Sequence, residues 1–116
     1  MPARRNVKVI PTPALQGDDS WVKIKALTVE QYNRNQAIQR DARLPEADPE
    51  DLEKRTSQLF SEVVLDWNWV DDEGKPLPKP HGNPQVFRDG LLTMGELFFI
   101  AEALRPTDGE KKDKPS

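Results

Sequence analysis

VVLDWNWVDDEGKPLPKP, residues 63–80, decides the fold, because its first half can be read with two different periods. Leu52, Leu59, Phe60, Val63, Val64, Trp67 and Val70 recur at three- and four-residue steps, an apolar stripe about five helical turns long. The spacing predicts one continuous helix through this stripe, the principal helix of the core. Leu65, Trp67 and Trp69 also alternate with Asp66 and Asn68 as a strand would, so the alternative is a helix that ends near Val64. The second half cannot be helix. Asp71, Asp72, Glu73 and Gly74 suit a turn, and Pro76, Pro78 and Pro80 each fix φ and disfavour helix at the residue before. A stiff extended strap is expected, with Leu77 its one large apolar side chain.

Upstream, Asp48 is placed to cap a helix, Pro49 fits the first helical position, and Glu50 and Asp51 sit at the positive end of the helix dipole. Before it, WVKIKAL (21–27) alternates apolar and basic residues and predicts a short strand. Thr28 and Gln31 then form a capping box for a helix limited by Pro45. The apolar face of that helix is thin, with Val29, Tyr32, Gln36, Ala37 and Leu44 near helical spacing. Downstream of the strap, Thr93 and Glu96 form a second capping box, LFFIAEAL is apolar almost all round, and Arg105 and Pro106 end the helix. The expectation is a mainly α single domain. It has about three helices and a short N-terminal strand in residues 21–104, a proline-rich strap before the last helix, an extended arm at 1–20 and a disordered charged tail at 105–116. NVKVI within the arm could form a short edge strand.

With 116 residues the chain fits one small domain, and its 35% hydrophobic content leaves a light core. Acids outnumber bases 20 to 17, so the balance gives no general reason to bind nucleic acid or anionic lipid. Arg4, Arg5 and Lys8 make a small basic arm without aromatic interleaving. No cysteine is present, which fits a reducing cytosol, and no 18-residue apolar run predicts a membrane span. The N-terminus lacks the apolar core of a signal peptide, so an intracellular protein is expected. His81 is the single histidine and reads as a loop residue, so a transition-metal site is not expected. Asp71–Glu73 lack the ligand spacing of a calcium loop. No nucleophile elbow, phosphate-binding loop or dinucleotide fingerprint occurs, and the chain is read as a non-enzyme with no cofactor.

What stands out is apolar excess: three tryptophans and four phenylalanines in a short chain. They can simply build the core. Alternatively, Trp67, Trp69, Phe98 and Phe99, with Leu97 and the strap residue Leu77, can form a partner-binding surface.

Three segments in order, WVKIKALT (21–28), VVLDWNWVDDEGKPLPKP (63–80) and LTMGELFFIAEAL (92–104), resemble the small tail assembly chaperones of long-tailed, non-contractile bacteriophages. That resemblance covers about Trp21 to Leu104. It implies a non-enzymatic protein of the infected bacterial cytoplasm that binds the tape measure protein, keeps it soluble and helps recruit tail tube subunits, with self-association possible. Such proteins are usually absent from the finished particle. The alternatives are a structural tail or neck component of the virion, and a small host-takeover or regulatory protein using Arg4 and Arg5 on nucleic acid.

Overall fold

The long helix stops at Val63 in the computed structural model, which describes residues 7–104. In chain order the elements are β1 (Val7–Pro11), α1 (Pro13–Gln16), β2 (Trp21–Lys25), α2 (Val29–Asp41), α3 (Pro49–Val63), β3 (Val64–Trp67), a 3-10 turn (Pro84–Phe87) and α4 (Met94–Ala103). The described residues therefore form a mixed α/β domain of four helices and a three-stranded antiparallel sheet in the order β1-β2-β3, not a mainly α one.

The continuous helix fails at Val64, which adopts φ −86°, ψ 108° and turns the chain into the sheet. Two adjacent β-branched residues favour that change. The apolar stripe misleads for a specific reason. Ile24 pairs with Val64, but Lys23 pairs with Asp66 and Val22 with Trp67, so Leu65 is the extra residue of a β-bulge. The bulge puts Val64 and Trp67, three residues apart, on the same inner face. An extended segment thereby carries a helical spacing.

Residues 7–20, expected in the extended arm, are folded instead, and the short edge strand offered by NVKVI forms as β1. β1 pairs along β2 with Ile10 opposite Val22 and Pro11 opposite Trp21. Thr12 and Ser20, both buried, close the connection: the Thr12 amide donates to the Ser20 carbonyl at 3.0 Å and the two hydroxyls meet at 2.7 Å. Proline at the last position of this edge strand is where the ladder tolerates it. Residues 1–6, including Arg4 and Arg5, and the tail at 105–116 lie outside the described residues.

The core lies on one face of the sheet. Val22, Ile24, Val64 and Trp67 meet Phe60 and Val63 of α3, Val86 and Phe87 of the 3-10 turn, and Ile100 and Leu104 at α4. Trp67 and Trp69 stack at 4.9 Å with 9° between their planes, and Phe87 stands edge-on to Trp67 and to Phe60. Such ring pairs add specific geometry to apolar burial.

α2 turns a different face inward from the one its apolar spacing predicts. Gln31 and Ile38 are buried, whereas Val29, Tyr32 and Leu44 are exposed. The helix is held to α3 by a polar clamp: Arg34 donates to both carboxylate oxygens of Glu62, at 2.7 and 3.0 Å, and Gln31 donates to the same group at 3.0 Å. The Arg34 hydrogen bonds bring the Glu62 carboxyl down from the ordinary 4.5 to about 2, with Gln58 and Gln31 assisting and partial burial opposing. A lowered folded-state value means the folded protein binds fewer protons than the unfolded chain in this range. The Glu62 contribution is thus present above about pH 4.5 and is lost as pH falls toward about 2. Glu62→Gln should lose stability at neutral pH, where the contribution is fully present, and converge on the native chain toward about pH 2. The acid limb of a urea-midpoint profile should flatten by at most about one proton, less because the pair is partly solvated. Superimposable wild-type and variant profiles would show that the clamp is screened out.

Candidate partner-binding surface

α4 begins with the capping box read from the sequence. The Glu96 amide donates to Thr93 Oγ1 at 3.1 Å, and Glu96 Oε1 accepts from the Thr93 amide at 2.9 Å. Before it, Gly90 takes φ +76°, a conformation that suits glycine, and delivers Leu91 to the start of the helix. The buried side of α4 carries Glu96 and Ile100, continued by Leu104, while Leu97, Phe99, Ala101 and Ala103 are half-buried against the core. Glu96 is anchored as well as capping: its Oε2 accepts from Gln16, and the Gln16 side chain also bonds both the amide and the carbonyl of Val70. This contact ties α1, the end of the tryptophan segment and α4 together.

The opposite side of α4 is open. Phe98 and Met94 are each 62% exposed and Leu91 is 42% exposed. Met94 and Phe98 are four residues apart and so share one side of α4, and exposed Leu91 precedes the helix.

Of the residues singled out from sequence, the structure leaves only Phe98 fully at the surface. Trp67 and Trp69 are 1% exposed and Leu77 is 5% exposed. They build the core, so the face expected of them is not formed by these three. Both indole N–H groups are spoken for inside the molecule, Trp67 Nε1 by the Pro78 carbonyl at 3.1 Å and Trp69 Nε1 by Thr12 Oγ1 at 3.0 Å. Leu97 and Phe99 flank the exposed pair without leaving the core. Leu91 and Met94 were missed by sequence reading, although the four-residue step from Met94 to Phe98 was there to be found.

The strap is a hairpin rather than one extended run. Asp71 donates its amide to the Lys75 carbonyl, the Leu77 amide donates to the Trp69 carbonyl, and Val70 bridges Pro76. The turn itself follows the sequence. Asp71 Oδ1 accepts the amides of Glu73 and Lys75, both at 2.9 Å, and Gly74 supplies φ +82°. This hairpin holds Leu77 against the core.

A second exposed apolar feature lies on the sheet face turned away from the core. Val7 and Val9 of β1 point outward, Val9 at 59% exposure, opposite Lys25 and Lys23 of β2, with half-buried Trp21 beside Pro11. On the same face Lys79 lies 3.0 Å from Asp66 and holds its carboxyl below the ordinary range.

A cleft of about 340 Å³ between α2 and α3 has Ile38 and Ala37 beside Arg34, Lys54 and Arg55. Arg34 is held by Glu62, and Arg55 by Asp41 and Asp51 at 3.0 and 3.1 Å, so these guanidiniums serve the fold. Among the described residues no group of three His, Cys, Asp or Glu is placed to hold a metal ion, and no helix is long and apolar enough to cross a membrane. Comparison of the chain with protein-family models, with curated proteins and with solved structures finds no match.

Proposed function

We propose that the chain is a tail assembly chaperone of a long-tailed, non-contractile bacteriophage. In this reading it works without catalysis in the cytoplasm of the infected host, binds the tape measure protein, keeps its long apolar helices soluble and helps recruit tail tube subunits. The observation that carries the reading is the open pair Met94 and Phe98 on α4, with Leu91 exposed just before the helix. An amphipathic client helix presents apolar residues at three- and four-residue steps, and the four-residue step from Met94 to Phe98 can pack against such a stripe. Aromatic side chains dominate the energetics of such contacts, which makes Phe98 the principal anchor.

The test is co-expression of the chain with a tape measure protein from the same phage, followed by measurement of how much of the partner stays soluble and co-purifies. Native chain should hold the partner in solution. Phe98→Asp should release it while changing the thermal midpoint little, since a surface substitution on an exposed site stays within about 0.5 kcal/mol. A Met94→Asp/Phe98→Asp double variant that protects the partner as well as the native chain does would remove α4 from the reading. Finding the chain in purified particles would favour the structural tail or neck component instead.

A further inference from the structure

We propose that α4 is a hinged lid: residues 93–104 lift off the core as one unit while the sheet, α2 and α3 stay folded. The ties between elements divide the molecule unevenly. The strands are laddered to one another, and α3 runs straight into β3. α2 is clamped to α3 by the Arg34–Glu62 and Arg55–Asp41 pairs. The strap is bonded to the tryptophan segment, the Leu77 amide donating to the Trp69 carbonyl and the Trp67 indole to the Pro78 carbonyl. Just beyond it the Gly82 amide donates to the Ser61 carbonyl of α3 at 2.8 Å.

α4 joins no ladder. Its end bonds close within residues 93–104, the Leu97 amide donating to the Thr93 carbonyl at 3.0 Å and the Leu104 amide to the Ile100 carbonyl at 3.1 Å. The capping box is internal as well. All of these bonds survive when the helix lifts. Glu96, the one buried polar side chain of the helix, is tied to Gln16, and water can satisfy both groups once they part. What holds the lid down is therefore chiefly the burial of Ile100 and Leu104, with Leu97, Phe99, Ala101 and Ala103 half-buried beside them. That is a fraction of the core cluster, and an opening that uncovers a fraction costs less than unfolding the domain. Residues 88–92, with Gly90 at φ +76°, form the hinge that absorbs the change. With the lid up, the inner residues join Met94 and Phe98, and α4 offers apolar side chains on every side.

The inference builds on the α4 face assigned above to a client and gives it a closed and an open state, but its assay contains no client and so succeeds or fails apart from that reading. The chain has no cysteine, so a single introduced thiol reports its own site. Ile100→Cys in α4 and Leu59→Cys in α3 each replace a side chain with no exposure. Both variants are labelled with a chromogenic disulfide reagent across urea concentrations below the unfolding midpoint. Each opening constant is compared with the unfolding constant of the same variant from circular dichroism, so differences in stability between the variants drop out. The thiol of Ile100→Cys should open at least about tenfold more often than that variant unfolds, with a shallower urea dependence. The thiol of Leu59→Cys should open only as often as its own variant unfolds. Labelling of Ile100→Cys at the frequency and urea slope of global unfolding would overturn the proposal, as would a Leu59→Cys thiol that opens equally far ahead of unfolding. Should Ile100→Cys fail to fold, Leu104→Cys, also buried, takes its place under the same expectations.

Discussion

Trp67→Ala is expected to destabilise the domain by about 3–5 kcal/mol, enough to leave much of a protein this small unfolded at 37 °C. The side chain is almost wholly enclosed, stacks on Trp69, receives the edge of Phe87 and donates its indole N–H to the Pro78 carbonyl. Truncation removes the stack on Trp69 and the edge contact with Phe87, opens a cavity and takes the indole donor from the Pro78 carbonyl. Guanidinium titration followed by circular dichroism gives the value. Trp67→Phe separates the contributions: it keeps most of the volume but loses the hydrogen bond, and should fall well short of the alanine loss. An alanine variant within 1 kcal/mol of native, on a scale where buried aromatics cost about 3–5, would contradict the enclosed stack.

The second large effect concerns the N-terminal segment. A chain starting at Pro13 should lose more than about 3 kcal/mol or fail to fold, because β2 would become an edge in a two-stranded sheet, which is marginal alone, and Trp69 Nε1 would lose its acceptor. Thr12→Val isolates the second part. The Trp69 indole and the Ser20 hydroxyl both lose Thr12 Oγ1, for an expected loss of about 1–3 kcal/mol. Thermal denaturation of both variants decides between a folded strand and a dispensable arm. A truncated chain melting with the native midpoint would restore the arm.

Local signals were legible in this sequence and long-range ones were not. The capping residues Thr28, Asp48 and Thr93 act within three residues of themselves, and each caps the helix expected of it. The strand at Trp21–Lys25 follows from its own alternation. The core membership of Leu59, Phe60, Val63, Val64 and Trp67 was equally readable from the apolar stripe. The period itself was ambiguous, because a bulge at Leu65 depends on the partner strand. β1 was obscured in the same way: its evidence is a partner beginning ten residues after it ends. On α2 the inward face is polar, built by Gln31 and Arg34 against Glu62, and no hydrophobic period marks such a face. At the candidate surface, composition counted the aromatics but could not sort them. Trp69 is inside because Thr12 reaches it, and Phe98 is outside because Ile100 and Glu96 fix the rotation of α4.

The Gln16–Glu96 contact joins residues 80 positions apart, and the Thr12–Trp69 contact joins residues 57 apart. A ribosome delivers the first member of each pair long before the second. β1, β2 and α3 can emerge and begin to pair, but Ile100 and Leu104, which complete the same core cluster as the two tryptophans, follow only once α4 has been made. A nascent chain halted before Thr93 would therefore lack part of the core that holds that stack, so completion of the domain is coupled to the last few codons before residue 105.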